Sequence, residues 1–365
     1  MILAHQSSLA ALAASPREFR RLPELAGAPA AFRSVARLMA RNWMVGELTF
    51  VLPSGRELKL EGAEPGVDAR IIVHDFRFMR RVVVAGDIGF AEGYMAGEWD
   101  TPDLPAVLQA MSLNFERIAK VVVGNPVIRA LNRIGHALNA NTRNGSRKNI
   151  HAHYDLGNAF YSRWLDRTMT YSSARFAAPD QPLDRAQTEK YRTLAEGMDL
   201  RSGQSVLEIG CGWGGFAEFA AREVGAKVTG ITISQEQFDF ARKRMFEQGL
   251  TEKAEIRLVD YRDVGGQFDR VASIEMFEAV GERYWPAYFD KIRQVLTPGG
   301  RAGLQIITIR DEFFASYRRR ADFIQKYIFP GGMLPSEARL KAETDRAGLS
   351  WSGIARFGQD YADTL

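Results

Sequence analysis

From Met198 onward, short apolar runs alternate with amphipathic stretches, a pattern that predicts strands at 205–209, 226–233, 255–259, 269–274 and 302–309 separated by helices. Such alternation implies a parallel, doubly wound α/β sheet whose ligand lies beyond the strand carboxyl ends. The N-terminal part reads differently. Apolar residues alternate in Leu48–Leu52, Leu58–Leu60 and Arg70–Val73 between Gly and Pro turns, which predicts short strands. Two helical patterns flank them. Arg33, Arg37 and Arg41 recur every four residues beside Val35, Leu38, Met39 and Trp43, while Val127, Leu131, Ile134 and Leu138 share a face opposite Arg129 and Arg133. The expected organisation is a small α+β domain over residues 1–138, a linker rich in Asn, Arg and Gly over 139–150, and the α/β domain over 151–365.

With 365 residues, 46% of them apolar, the chain has core enough for one large or two medium globular domains. No apolar run reaches the roughly 18 residues of a membrane-crossing helix. Met1–Ser15 has no Lys or Arg ahead of its Leu/Ala stretch, so a signal peptide is not expected and the protein is read as cytoplasmic. The single cysteine, Cys211, excludes an internal disulfide and a cysteine-built zinc site, and no metal is expected. Net charge is +4, and the basic excess is N-terminal: residues 1–150 hold 19 Lys and Arg against 14 Asp and Glu. The two basic helical patterns are either core-packed helices with a solvated face or attachments to an anionic membrane surface, where each cation contributes about 1 kcal/mol. No basic run is interleaved with aromatics, so nucleic acid is not an expected partner.

The stretch richest in chemistry is VLEIGCGWGG, Val206–Gly215, where an apolar strand ends in an acid and runs into a glycine turn that opens a helix. Gly210, Gly212, Gly214 and Gly215 clear side chains so that a ligand can lie on the backbone. Two cofactor readings compete, because Gly210, Gly212 and Gly215 also satisfy the G-x-G-x-x-G spacing of a dinucleotide turn. A nicotinamide reading wants an acid at the end of the next strand, whereas KVTGITIS, Lys227–Ser234, ends in hydroxyls. The acid stands instead at Glu208, facing the turn, where it could pair with a cationic ligand. Other strand ends supply further contacts: Thr232, Ser234 and Gln237; DYRD, Asp260–Asp263, with Asp260 to accept from an adenine amine and Tyr261 to stack; and IEMFEAVG, Ile274–Gly281. HAHYDLGNAFY, His151–Tyr161, and MTYSSARF, Met169–Phe176, are read either as ligand contacts or as capped helices with packed aromatics.

Taken in order, HYDLGN, YSSARF, VLEIGCGWGG, GITISQEQ, DYRD, IEMFEAVGE, LQIITI and YIFPGGMLPS resemble the cyclopropane fatty acid synthase family over nearly the whole chain. VLEIGCGWGG itself is similar to motif I of class I S-adenosylmethionine methyltransferases. The resemblance implies a Rossmann-like methyltransferase domain behind a lipid-facing N-terminal domain, peripheral on the inner face of the membrane and acting on double bonds of unsaturated phospholipid acyl chains. It also implies a homodimer. On matching motifs, S-adenosyl-L-methionine would be held by Tyr171 and Ser172, by Leu207, Glu208, Ile209, Gly210, Cys211, Gly212, Trp213, Gly214 and Gly215, by Thr232, Ile233, Ser234, Gln235 and Gln237, and by Asp260, Tyr261 and Arg262.

An alkene is a poor nucleophile, so the sulfonium methyl must be held in line with the π bond in a dry apolar slot. In ring-forming members the resemblance implies a bound bicarbonate that takes the proton as the ring closes. The positions matching that anion site are Glu278, the carbonyl residue Ile307, and Tyr361. Ser173 stands where the family has Cys, Gln305 where it has His in the strand, and Ala279 where a His usually follows the glutamate. Serine and glutamine still offer hydrogen bonds to an anion. Proton loss from a neighbouring chain carbon would instead give a methylated alkene, the route implied for relatives that make methyl-branched or furan fatty acids. Phe277, Phe314, Tyr317, Phe323, Tyr327 and Phe329 are the candidate acyl wall. Family members usually continue past the DYADTL position, so fraying is expected around Tyr361. A catalytically inactive lipid-binding homologue is the reading from a different functional class.

Overall fold

The computed structural model describes residues 25–122, 157–319 and 321–364. The expectations for Met1–Ser15, for the Val127–Leu138 helix, for the 139–150 linker and for His151–Leu156 lie outside these residues. The chain divides into two units, Met1–Leu131 and Asn132–Leu365.

In the first unit, helix Ala30–Asn42 precedes β1 (Val45–Val51), β2 (Glu57–Glu61), β3 (Glu64–Val73), helices Arg77–Ala85 and Asp87–Met95, β4 (Trp99–Asp100) and helix Leu104–Val122. The sheet order is β2-β1-β3-β4, with β1 antiparallel to β2 and parallel to β3. The sequence of β2, ELKLE, shows why it forms an edge strand. Leu58 and Leu60 are buried and the charged residues around them face water. The arginine-spaced helix buries Phe32, Val35, Ala36 and Met39 in the core that holds Phe50 and Trp99, and leaves Arg37 and Arg41 exposed. Most of its apolar stripe is therefore core, and the face that remains exposed carries Leu38 with the two arginines. Buried Asn114 ties helix Leu104–Val122 to the start of β1. Its Oδ1 accepts from the Met44 and Val45 N–H groups (2.8 and 3.1 Å), and its Nδ2 donates to the Val45 and Ala110 carbonyls (both 2.9 Å), which saturates a side-chain amide.

In the second unit, β5 (Ser205–Ile209), β6 (Lys227–Thr232), β7 (Ala254–Leu258), β8 (Phe268–Ile274) and β9 (Leu296–Gln305) form a parallel sheet in the order β7-β6-β5-β8-β9. Successive side chains go to opposite faces. Val206 and Val228 join Tyr191, Phe216 and Met245 in one core, and Leu207, Ile209 and Ile231 join Trp285, Phe289 and Ile292 in the other, so the strands are apolar on both sides. The chain winds outward from β5 to β7 and then crosses to β8 on the other side of β5. The carboxyl ends of β5 and β8 therefore flank the topological switch point, where open α/β sheets bind ligands.

In the second unit the expected strands agree with the observed ones to within a residue, except the last, whereas in the first unit Arg70–Val73 is only the end of a longer strand, Glu64–Val73, and the strand expected at Leu48–Leu52 begins at Val45. β9 stops at Gln305 and not at 309, because the Ile307 N–H leaves the ladder to donate to the Glu278 carboxylate; Ile309 pairs again, with Ser336. It also begins earlier, at Leu296, which pairs with Phe268 before a bulge.

Candidate active site

The cradle starts from β5. Glu208 is 3% exposed and sits between Gly230 of β6 and Ala272 of β8. Burial holds its carboxyl well above the usual range, against the pull of Arg244, Lys190 and the Ala217 N–H. Its Oε2 has no hydrogen-bond partner among the described residues. Beyond it the turn is anchored by the Gly210 and Cys211 N–H groups, which donate to the Ile231 carbonyl at 3.0 and 2.9 Å. Gly212 has a φ of 52°, and a Cβ there would meet nothing within 4 Å, so its open side is free for a ligand. Gly215 differs, since a Cβ would stand 2.3 Å from the Tyr191 hydroxyl; it is a packing glycine. The Cys211 thiol is buried and pushed up by burial, as befits a packing residue. Trp213 is buried, donates through Nε1 to Asn158 Oδ1 at 2.7 Å, and packs on Tyr161.

At the end of β6 the hydroxyl residues close a small network. Thr232 Oγ1 donates to Gln237 Oε1 at 2.8 Å, and Ser234 caps helix Gln235–Glu247 by accepting from the Gln237 N–H. At the end of β7 Asp260 caps its own turn and is held by Arg262 through two side-chain hydrogen bonds of 2.8 and 2.6 Å. Arg262 and Tyr261 also lie face to face, 5.5 Å from guanidinium to ring centroid. A sulfonium nucleoside fits this cradle: an orphaned buried carboxylate oxygen, an open glycine and polar groups at successive strand ends converge on the switch point.

Buried Lys190, on helix Leu183–Gly197, donates to Ser172 Oγ at 2.6 Å. Burial pulls its ammonium down to about 7, against the charges of Glu275, Asp166 and Glu208. Nothing in the sequence singles it out, because it lies among polar residues that read as a solvated helix face.

The second cluster forms where β8 and β9 end. Glu275 has a φ of 47°, a conformation L-residues rarely adopt, and its N–H donates to the Gln305 carbonyl at 2.8 Å. Its Oε1 accepts from Gln305 Nε2 at 2.8 Å and from the Ser173 N–H at 2.9 Å. Burial raises the Glu275 carboxyl, while Gln305, Ser173 and Lys190 draw it back. The Ser173 hydroxyl turns away and donates to the Ala174 carbonyl at 3.0 Å. Glu278 accepts from the Ile307 N–H through Oε1, while its Oε2 is buried with no hydrogen-bond partner among the described residues. Its carboxyl is pushed up to about 8, by burial first and then by the charge of Glu275. Tyr361 joins the group electrostatically: burial, then Glu275 and Glu278, raise its phenol.

The sequence-derived positions Ser173, Glu278, Gln305, Ile307 and Tyr361 thus come together, with Glu275 added. Glu275 was hidden in IEMFEAVG behind the glutamate that matched a motif. The available signal was an acid closing an apolar strand, as Glu208 does. A free bicarbonate does not fit this cluster, since the Gln305 amide and the Ser173 N–H that would hold it already hold the Glu275 carboxylate.

Tyr361 is not at a frayed end. Helix Gly358–Thr364 is fastened by the Ala174 N–H donating to Thr364 Oγ1 at 2.9 Å and the Phe176 N–H donating to Asp360 Oδ2 at 3.4 Å. The aromatic candidates divide. Phe277 and Phe314 are buried in the core with Trp285, whereas Tyr327 and Phe329 are exposed, and Phe329 stacks on Tyr171 at 6.4 Å. The loop after Phe329 is tied to the Glu278 main chain, because the Met333 N–H donates to the Glu278 carbonyl at 2.8 Å.

The chain is similar to proteins already known. The family described as mycolic acid cyclopropane synthetase matches residues 141–365. The tuberculostearic acid methyltransferase UfaA1 of Mycobacterium tuberculosis is 38% identical over 316 residues, 83% of this chain and 72% of that protein. The cyclopropane-fatty-acyl-phospholipid synthase of Escherichia coli is 34% identical over 329 residues, 89% of this chain and 80% of that one. Among solved structures, the mycolic acid cyclopropane synthase CmaA1 complexed with SAH and CTAB superposes with a TM-score of 0.56 at 28% identity, covering 60% of this chain and 80% of that one. The chain therefore belongs to the mycolic acid cyclopropane synthetase family of S-adenosylmethionine-dependent methyltransferases that act on lipids.

Proposed function

We propose that this enzyme transfers the sulfonium methyl of S-adenosyl-L-methionine to the double bond of an unsaturated acyl chain in a membrane phospholipid. One observation carries the reading: the paired carboxylates of Glu275 and Glu278 at the switch point, beside the glycine turn. Methylating an alkene leaves a carbocation that must lose a proton from carbon, so the site needs an acceptor shielded from water. When bound, the cofactor supplies an electrophilic methyl group. The cradle from Glu208 to Gly215, with Thr232, Ser234 and Gln237, is suited to hold it, and Tyr171 and Phe329 offer an apolar face to the chain.

A ring and a methylated alkene are the two products in question. Ser173, Gln305 and Ala279 stand where ring-forming members of the family have other residues, and the relative 38% identical is named as a methyltransferase, which favours the alkene as the second reading. Incubation with methyl-labelled S-adenosylmethionine and vesicles of unsaturated phospholipid, followed by mass spectrometry before and after hydrogenation, separates them. A gain of CH₂ with no reducible double bond means a ring. The same gain with a reducible bond means a methylated alkene. Bound cofactor with no label in lipid overturns the reading.

Attachment to the inner membrane face is part of this proposal. Among the described residues no helix is long and apolar enough to cross a membrane. The exposed Arg37 and Arg41 of the first unit supply cations for a peripheral contact with anionic lipid, and a homodimer is the assembly expected. Binding to anionic vesicles that weakens as salt rises supports the contact, and indifference to anionic lipid at low salt removes it.

A further inference from the structure

Glu275 is the one acid of the reaction centre that the anion site implied by sequence does not include. Its backbone is held left-handed, at a cost on the order of 1–2 kcal/mol for a residue with a Cβ, and that conformation aims the carboxylate at Gln305 and Ser173, two of the three positions where this chain departs from the ring-forming pattern. The Gln305 side chain serves it, whereas Ser173 contributes only its main chain. Gln305 donates through its side-chain amide at 2.8 Å, and Ser173 donates through its N–H at 2.9 Å while its hydroxyl points elsewhere. The place of an exogenous anion is filled by the chain itself.

We propose that the Glu275 carboxylate is the proton acceptor of the methyl-transfer reaction, in the position a free bicarbonate would otherwise take. The inference rests on the alkene methylation proposed above. As the π pair of the alkene forms a C–C bond to the methyl carbon, the C–S bond breaks and its electrons stay on sulfur. The products are neutral S-adenosylhomocysteine and a carbocation at the adjacent chain carbon. A C–H bond beside the cation then gives its proton to Glu275 and its electron pair to carbon. A hydrogen on the new methyl group leads to ring closure, and one on the chain leads to a new double bond. Cation and carboxylate thereby become neutral lipid and carboxylic acid, and the proton returns to solvent. The neighbours set the division of labour. Burial raises both carboxyls, but Oε1 of Glu275 accepts from two donors, Gln305 and Ser173, whereas Oε2 of Glu278 has no hydrogen-bond partner among the described residues.

Two arms test this on the full chain. In the first, ¹³C-bicarbonate line broadening is measured with wild type and with Glu275→Gly, which relieves the left-handed strain and empties the position beside Gln305 and Ser173. Binding by Glu275→Gly and none by wild type is expected; bicarbonate binding by wild type overturns the proposal. In the second, turnover is followed in CO₂-free buffer. Wild type should be indifferent to added bicarbonate, Glu275→Gln should lose roughly a hundredfold or more with cofactor affinity unchanged, and Glu275→Gly should regain activity when bicarbonate is added. Stimulation of wild type by bicarbonate, or wild-type turnover by Glu275→Gln, overturns it. A wild type that binds cofactor yet labels no lipid sinks the alkene reading instead, and the bicarbonate-binding arm still decides whether Glu275 fills the anion position.

Discussion

Gln305 grips Glu275 from two directions: its backbone carbonyl accepts the Glu275 N–H at 2.8 Å, and its side-chain amide donates to Glu275 Oε1 at 2.8 Å. The last residue of β9 thus fixes both the backbone and the carboxylate of the residue that follows β8. Gln305→Leu keeps most of the volume and removes the amide. A hydrogen bond to a charged group is worth about 1.5–3 kcal/mol, so the ionised form of Glu275 becomes harder to reach. Turnover should fall roughly tenfold or more, and the acid limb of the kcat profile should move to higher pH while cofactor affinity holds. An acid limb that stays in place would show that Gln305 does not act through Glu275.

Glu278 offers a test through stability. Its carboxyl is pushed up to about 8 from 4.5, so between those values the native chain keeps a proton that the unfolded chain has lost. The Glu278 contribution to stability is therefore greatest below pH 4.5, declines as pH rises toward about 8, and is flat beyond, a span on the order of 5 kcal/mol at about 1.4 kcal/mol per unit. Glu278→Gln stays neutral throughout and can still accept from the Ile307 N–H. The variant should match wild type near pH 4.5 and be more stable at pH 8, yet turn over at least roughly tenfold more slowly, because an amide cannot relay a proton. Denaturant melts at the two pH values check the first part. Parallel curves for variant and wild type would remove the assignment.

Two glycines of the turn, Gly212 and Gly215, should answer alanine in opposite ways. A methyl on Gly215 meets the Tyr191 hydroxyl, which is itself hydrogen bonded to Thr170 Oγ1 at 2.6 Å. Gly215→Ala should cost about 1–3 kcal/mol of stability, and part of that should return in a Tyr191→Phe background. A methyl on Gly212 strikes nothing, and costs about 1–2 kcal/mol of backbone energy, but it projects into the space assigned to the cofactor. Calorimetric affinity for S-adenosylmethionine should drop roughly tenfold or more for Gly212→Ala, a loss of about 1.4 kcal/mol or more. If Gly212→Ala binds cofactor as well as wild type does, the cradle is drawn in the wrong place.

What could be read from the sequence was whatever periodicity and spacing encode. The five parallel strands follow from their apolar runs, and the glycine turn after Glu208 from the residues that only a close backbone approach demands. The residues that escaped do so for physical reasons. Lys190 sits in a helix whose neighbours are polar, and only the packing of Ser172 and Tyr191 around it reveals that it is buried. Glu275 depends on a left-handed backbone and on a partner 30 positions away in the chain, and neither leaves a local trace. The end of β9 was misjudged because a side chain, Glu278, competes for the Ile307 N–H.

The aromatic stripe after Phe277 also separates once burial is known, and the separation predicts which residues touch lipid. Phe277 is fully enclosed, with Trp285, Tyr288 and Phe289 at 5.3, 5.1 and 5.2 Å. Phe277→Ala should lose about 3–5 kcal/mol of stability, as core aromatics do. Trp164 and Phe329 keep 43% and 37% of their surface exposed, and between them stands Tyr171, at 5.2 Å from one ring and 6.4 Å from the other. Rings that stay exposed around Tyr171, a residue proposed to lie by the cofactor, are placed to meet an apolar chain entering from outside. Truncating them removes little folding energy but takes away apolar surface that the lipid would cover, about 1.5–3 kcal/mol for a large side chain. Trp164→Ala and Phe329→Ala should therefore melt close to wild type and bind cofactor normally, while KM for unsaturated phospholipid vesicles rises roughly tenfold or more. Unchanged KM in both would mean that the acyl chain reaches Glu275 by another path.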